Sequence, residues 1–544
     1  MKKITVLLLA VVMAFGFVFA GCNNSKTNYS NNLSGLDGEV SSNGGFAVVK
    51  GEYVYFINGI AANTDDNTFG KPVTGALVRV KKSDLAAAAD GNTETTVKTE
   101  MVIPSLFVAG DMTSGFYIYG SNVYFASPYT EKNKEGKVQN EKLSFVKASL
   151  DGKERTVIDT VDDNTTAYRY VENNGKVYLM IKTTVKDERS TSSTATRAAI
   201  VAYNAETGEK VFTSEKVSEY DFGNGNDVYY TVTAYDEDLK QEEKYNDVYR
   251  YVAGSEKAEL VLSGKGKIKN GTETDDDNNG GTGLTGVTYS LLKNADETVY
   301  LKVTYVDTSV TSVVKYYALD KKDITANDSE ANKAKFADLS NATANASKIF
   351  SSSSYYASKN CIIYLDSTYG LVAYNVDFQN GSTFNGDKIE NNCAWLFYDK
   401  DLVGYTVKFW NNGYVYLTDS NNYYYRVQII GSVIDPQGNA ITGENAPEAK
   451  LEKVNFLANS TSWYLPEVVD NYFLSVYTAT PYSSLVYVSD MTENAKKTDE
   501  EIETIRKSDK DSVLSNLSTC VGKIADSVQE TMDKYIKDTF GEDK

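Results

Sequence analysis

One phrase recurs along this chain: a turn of Gly, Asn or Asp, then Val-Tyr inside an alternating strand. It reads Gly51-Glu52-Tyr53-Val54-Tyr55-Phe56, Gly120-Ser121-Asn122-Val123-Tyr124-Phe125, Asn174-Gly175-Lys176-Val177-Tyr178-Leu179 and Asn226-Asp227-Val228-Tyr229-Tyr230. It continues as Asp296-Glu297-Thr298-Val299-Tyr300-Leu301 and Asn412-Gly413-Tyr414-Val415-Tyr416-Leu417, with looser copies at Asn360-Cys361-Ile362-Ile363-Tyr364-Leu365 and Asp470-Asn471-Tyr472-Phe473-Leu474. The alternation and the Val/Tyr enrichment are strand signals, and the Asn/Gly/Asp pairs are hairpin turns. Counted from Tyr55, the anchor positions fall 69, 54, 51, 71, 64, 52 and 57 residues apart. Each unit therefore has room for about four short strands plus loops, and four-stranded antiparallel sheets repeated radially make a β-propeller. A lone sheet of this size cannot bury both faces, so neighbours must stack. The expected fold is all-β: a β-propeller of four-stranded antiparallel blades, eight or seven of them, over residues 43–490, with a C-terminal α-helical segment over 491–544.

Each copy is followed by a second strand closed by another polar turn, as in Leu143-Ser144-Phe145-Val146-Lys147-Ala148-Ser149-Leu150-Asp151-Gly152. This cadence resembles the propeller-like lipoproteins of low-GC Gram-positive bacteria, whose function is unassigned. The resemblance covers about residues 43–490 and implies the fold. It implies no activity, because one propeller scaffold hosts many.

The N-terminus is of another kind. Met1-Lys2-Lys3 is a short positive start, Ile4 to Phe19 is an almost unbroken apolar run, and Ala20-Gly21 precedes Cys22. That is the pattern of a secretory signal with a small-residue cleavage point, so residues 1–21 are set aside from fold reasoning. The run is short for a membrane span, which needs about twenty residues. Phe19-Ala20-Gly21-Cys22 resembles the lipobox of bacterial lipoproteins, which implies that Cys22 becomes the lipid-bearing first residue, palmitate being one such acyl group. Residues 22–42, rich in Asn, Ser and Gly, read as a flexible tether. The expected location is the extracytoplasmic face of the cell membrane, with Cys22 as the lipid-attachment residue.

Composition narrows the chemistry. The formal net charge is −19 and histidine is absent. An acidic body repels nucleic acid, so no nucleic-acid partner is expected. Without histidine there is no Ser-His-Asp or Cys-His arrangement, and the commonest zinc ligand is missing. Carboxylate-only chemistry survives, as in glycoside hydrolysis. Three cysteines follow Cys22, namely Cys361, Cys393 and Cys520. An odd number argues against a complete disulfide framework, and small buried hydrophobes are the plainer reading of Cys361 and Cys393, with a bridge between them left open.

Length accumulates at residues 57–75, 126–142, 182–198 and 235–246, all between the second and third strands of a unit, and at 264–284 between units. Strands alternate in direction, so all of these project from one side, where a rigid scaffold usually seats its binding loops. The Ser/Thr-rich stretch 189–196 also reads as mere surface decoration. Asp275-Asp276-Asp277-Asn278-Asn279-Gly280 carries Gly286 where an EF-hand needs its bidentate Glu, so no metal site is assigned. Trp395, Trp410, Trp463 and the 41 tyrosines read mostly as strand packing. Leu514, Leu517, Val521, Ile524, Val528 and Tyr535 mark one helix face.

The expected function is a membrane-tethered, non-enzymatic propeller that binds an extracellular protein or glycan through loops on one side. No catalytic residue and no cofactor are assigned, and the ligand-binding residues are not legible. The alternative is a carbohydrate-active enzyme with paired Asp/Glu carboxylates in the propeller channel. A transporter's solute receptor, with two α/β lobes, conflicts with the strand pattern.

Overall fold

A computed structural model describes residues 40–59, 74–90, 99–108, 114–129, 142–150, 154–162, 166–188, 190–214, 216–223, 225–234, 245–263, 288–293, 299–306, 312–319, 353–358, 361–375, 395–433, 440–455, 465–477 and 485–507, with a few isolated positions between them. Cys22, the apolar leader, the acidic run at 275–280, Cys393, Cys520, Trp463 and the helix-face residues from Leu514 onward lie outside these. The described residues form eight antiparallel sheets in chain order, six with four strands or more and two with three. Apart from one added strand in the second, each is a meander of consecutive strands, the blade of a β-propeller, so the fold is all-β and of the propeller type, with eight blades among the described residues. Helices are minor.

The anchors of the repeat all fall on second strands. Tyr55, Tyr124, Tyr178, Tyr229, Tyr300, Tyr364, Tyr416 and Phe473 are at most 8% exposed, so the recurring aromatic is the core of every sheet. Two-residue turns join the first and second strands where the sequence places them. The pairings Asn173↔Lys176 and Asn411↔Tyr414 leave Asn174-Gly175 and Asn412-Gly413 as the loops. All four of these residues have positive φ. That is the demand of a type I′ hairpin turn, which Asn-Gly meets at low cost.

A second recurrence was not visible in the phrase itself. In the first sheet Arg79 lies opposite Tyr55 and Glu100. Its guanidinium donates to the Tyr55 hydroxyl at 3.2 Å and to Glu100 Oε2 at 2.6 Å, and sits 4.2 Å from the Tyr53 ring centre. The seventh sheet repeats the arrangement, with Arg426 bonded to Glu452 at 2.8 Å and 4.4 Å from the Tyr414 ring. In the fourth sheet Arg250 bonds Asp227 at 2.9 Å. Third-strand arginine thus clamps the second strand to an acid, and cation–π contact supplements the pair.

The chain divides into two compact units, residues 1–167 with 459–544, and residues 168–458. The first unit holds sheets one, two and eight. Its second sheet gains a fifth strand, Val40–Ser42, paired with Tyr117–Tyr119, and the Tyr119 hydroxyl donates to Ser42 Oγ at 3.0 Å. The stretch read as tether therefore ends in ordered sheet rather than running to residue 42. Among the described residues the eighth sheet has three strands. Its third strand, Leu485–Asp490, passes directly into the helix Met491–Lys496, whose first N–H groups are capped by Asp490. The first and eighth sheets meet through side chains. Lys82 pairs with Asp470 at 3.0 Å, and the helix Leu85–Asp90 packs on Leu485–Asp490.

Glu467, half-buried at the start of the eighth sheet, takes a hydrogen bond from Asn43. Gly45 lies so close that a Cβ there would fall on the Glu467 carboxyl. Desolvation raises this carboxyl to about 8. The native state then holds a proton that the unfolded chain has lost, so this group's contribution is complete below about pH 4.5 and falls by up to about 1.4 kcal/mol per pH unit until about pH 8. Glu467→Gln should therefore match the parent near pH 5 and exceed its stability near pH 9, read from unfolding midpoints at both pH values. Parallel pH profiles would show that Glu467 is not the group responsible.

The second unit holds sheets three to seven, and side chains join the third to the fourth, the fourth to the fifth and the sixth to the seventh. Asn173 donates to the Ala253 carbonyl at 2.7 Å, and Phe212 stacks on Tyr251 with ring centres 3.9 Å apart. Tyr229, Val248, Tyr289 and Leu301 share one apolar cluster across sheets four and five. Cys361, Leu371, Val415 and Val427 share another across sheets six and seven. Cys361 is a free thiol, and burial pushes it up to about 12. It is the small buried hydrophobe of the plainer reading.

Candidate functional site

The candidate site lies in the second unit, on the side from which second-to-third links emerge. The stretch 182–198 is not the loop that its composition suggests. The strands Lys176–Lys186 and Thr196–Asn204 pair without interruption from Tyr178↔Asn204 to Lys186↔Thr196. The first strand of the sheet stops pairing at Ile181, and the fourth at Val201. Beyond those points the hairpin stands as a two-stranded ribbon. Its tip is closed by the Asp187 N–H donating to the Ala195 carbonyl at 2.8 Å and by the Ala195 N–H donating to the Ser192 carbonyl at 3.2 Å.

β-Branched residues explain the extension. Thr183, Thr184, Val185 and Thr196 favour extended backbone on a two-sided, solvated surface. Arg197 ties the base to the sheet by donating to the Ser214 carbonyl at 2.6 Å, and Ser214 Oγ accepts from the Ile200 N–H at 2.9 Å. The ribbon carries Lys182, Lys186 and Arg197 against Asp187 and Glu188, so its described residues are net cationic in a protein of net charge −19. Among the described residues no other strand pairs with its outer edges beyond Ile181 and Val201, and such edges accept further strands.

At the ribbon's foot lies the first strand of the fourth sheet, Val217–Phe222. The Lys182 ammonium sits 5.9 Å from the Tyr220 ring centre. Glu219 and Asp221 are two residues apart and so project to the same side, with Cα atoms roughly 7 Å apart. Glu219 Oε2 accepts from the Leu291 N–H of the fifth sheet at 2.8 Å. Asp221 is half-buried; desolvation raises it to about 6, while Lys293 draws it down and Glu219 pushes it up. Arg169 donates to the Gly223 carbonyl at 2.7 Å and lies 5.3 Å from the Phe222 ring centre. This edge combines one cation-bearing ribbon, two carboxylates, of which Asp221 is held above its ordinary range, and a lysine.

None of these residues stood out in the sequence. The alternation in Val217-Ser218-Glu219-Tyr220-Asp221-Phe222 was the available signal, since it places two acids on one face of a strand. The links at 57–75, 126–142 and 235–246 are only partly described, and 264–284 lies outside the described residues. In the sixth and seventh sheets the same link is tight, closed by Asp366 and Asp419 accepting from nearby N–H groups. Among the described residues no three His, Cys, Asp or Glu side chains come together as metal ligands. Asp162 pairs with Lys142 at 3.1 Å.

No protein-family model matches the chain, and no curated protein is significantly similar to it. Among solved structures, it is similar to the β-propeller domain of the Trilobed protease from Pyrococcus furiosus, at 11% identity and TM-score 0.31, over 73% of this chain and 97% of that one. It is similar to polysaccharide lyase Uly1 at 10% identity and TM-score 0.30, over 75% of this chain and 89% of that one. The Pyrococcus horikoshii acylaminoacyl peptidase matches at 10% identity and TM-score 0.30, over 73% of this chain, which spans about half of that protein's length (52%). At such likeness the activities of those proteins remain theirs.

Proposed function

We propose that the protein is a membrane-tethered, extracytoplasmic β-propeller that binds an extracellular protein or glycan and does not catalyse a reaction on it. The observation that carries this reading is the ribbon Lys182–Ala198, a paired, cationic projection with open strand edges on the side of the sheets expected to bind. The apolar leader and Cys22 support the tether, and a lipid on Cys22 supports a place on the cell membrane. A rigid ribbon loses less conformational freedom on binding than a flexible loop of the same length.

The test is to excise it. Replacing residues 184–198 by an Asn-Gly turn keeps the Thr183↔Ala199 pair, buried Ala199 and every backbone pairing with the first and fourth strands, and loses only the Arg197 bond to the Ser214 carbonyl. The unfolding midpoint should move by about 2 °C or less, while retention of the purified protein on isolated cell envelopes should fall about tenfold or more. Unchanged retention in a folded variant overturns the reading.

Glu219 and Asp221 favour one second reading, a carbohydrate-active enzyme. A carboxyl raised to about 6 beside a second acid on the same face is the arrangement such chemistry uses. That reading requires turnover of a glycan by the purified protein, abolished in Asp221→Asn. Its absence across envelope polysaccharides removes it.

A further inference from the structure

We propose that the ribbon's edge from Lys182 to Lys186 accepts an extended acidic segment of an extracytoplasmic protein as a third strand. This rests on the reading of the ribbon as the binding element and names what that element takes. The backbone fixes which residues face outward. In an antiparallel pair, residues alternate between bonding the partner strand and pointing away from it. The Asp187 N–H bonds the Ala195 carbonyl across the ribbon, while the Ile200 N–H and carbonyl bond Ser214 outside it. Counting in twos from either end gives the same answer. Thr183 and Val185 bond inward, and Lys182, Thr184 and Lys186 turn their N–H and C=O groups outward. Among the described residues the first strand's pairing stops at Ile181, so no strand takes these groups up. A two-stranded ribbon is marginal alone, and a third strand adds the pairing it lacks.

The opposite edge is the poorer site. Thr196 and Ala198 face outward there, but Arg197 reaches from between them to the Ser214 carbonyl at 2.6 Å and crowds that side. Charge then decides the partner. Lys182, Thr184 and Lys186 alternate along one strand and share one face of the ribbon. A strand laid on this edge therefore meets two ammonium groups, with a threonine midway. Lys186 is exposed, and its pair with exposed Glu188 at 3.4 Å contributes little. Lys182 lies 5.9 Å from the Tyr220 ring centre, a contact to the ring face that leaves room for a carboxylate partner.

Opposite charges facing each other across strands are favourable and like charges are not. A second copy of this edge would set lysine against lysine, so the edge selects against its own kind. Acids placed opposite Lys182 and Lys186 complement it, with a β-branched residue opposite Thr184 and apolar residues on the face of Val185. A glycan could meet the lysines but has no peptide groups for the outward N–H and C=O row. At about 3.4 Å per residue, the edge is about 17 Å long and takes one short stretch of extended chain.

The experiment uses the full chain and a labelled, end-blocked peptide, Thr-Glu-Val-Thr-Val-Glu-Thr, read by fluorescence anisotropy at low salt. Competing probes are the same peptide with Lys for both Glu, the acidic peptide N-methylated at its central Thr, and polygalacturonate as an anionic glycan. The acidic peptide should bind saturably, and the lysine and N-methylated peptides about tenfold more weakly or worse. Thr184→Pro removes an outward N–H without touching the ladder inside the ribbon and should weaken the acidic peptide about tenfold. Lys186→Glu should weaken it as much and turn the preference toward the lysine peptide, which keeps the test open should Thr184→Pro not fold. No saturable binding, equal binding of the lysine or N-methylated peptide, or a preference for polygalacturonate each overturns the proposal. If the peptide fails while excision of 184–198 still lowers envelope retention, the third strand is lost and the ribbon reading stands. If the peptide binds this edge while retention ignores excision, the ribbon is a peptide site and not the envelope contact.

Discussion

Cys22→Ser should move the protein from the membrane fraction to the medium almost completely and abolish its labelling by palmitate. Each buried methylene contributes roughly 0.8 kcal/mol, so one acyl chain holds a protein weakly and two hold it durably. Loss of the sulfur removes both the attachment point and the retention. If the apolar stretch 4–19 stayed on the protein as a span, the variant would remain in the membrane fraction with its retention unchanged. Fractionation of cells expressing either form decides between the two, and persistence in the membrane would end the lipoprotein reading.

The second large effect concerns the buried aromatic of each sheet. Tyr364→Ala should cost about 3–5 kcal/mol, the range for deleting a buried ring, because Tyr364 is completely buried. The hydroxyl is a separate matter. Among the described residues the Tyr364 hydroxyl is buried with no hydrogen bond, and desolvation raises its pKa. Removing an unsatisfied polar atom relieves a penalty of about 1–3 kcal/mol, so Tyr364→Phe should be neutral or stabilising. Tyr55→Phe should go the other way by about 1 kcal/mol, since it breaks the bond from Arg79. Unfolding midpoints in urea separate these outcomes. Equal effects of the two Tyr→Phe changes would show that the hydroxyl environments do not differ as described.

These contrasts mark how far the sequence could be read. The repeat located every second strand because Val-Tyr at a two-residue period is a local signal that burial of one face imposes. Asn174-Gly175 and Asn412-Gly413 were legible for the same reason, being turns fixed by their own backbone. The ribbon was misread because Ser190 to Thr194 has turn-forming composition, which drew attention from Thr183, Thr184 and Val185 beside it. The strand Val40–Ser42 was hidden in an Asn/Ser-rich stretch whose pairing partner lies 77 residues on. The third-strand arginines and their acids are equally non-local: Arg79 and Glu100 meet only once both strands are in register. Glu219 finds its partner 72 residues away, at Leu291, and Trp410 stacks on Tyr355, a ring carried by the preceding sheet. The propeller and its eight sheets could thus be read from the chain, whereas the sites depend on neighbours that only folding brings together.

The meeting of the first and eighth sheets has a consequence for descent. They touch through Lys82, Asp470 and a short helix rather than by lending a strand across the seam. Among the described residues, and apart from 40–42, each sheet is one continuous stretch of gene. A whole repeat can therefore be duplicated or dropped in frame without re-threading any other, and close kin of this protein are expected to vary in length by steps of one complete repeat.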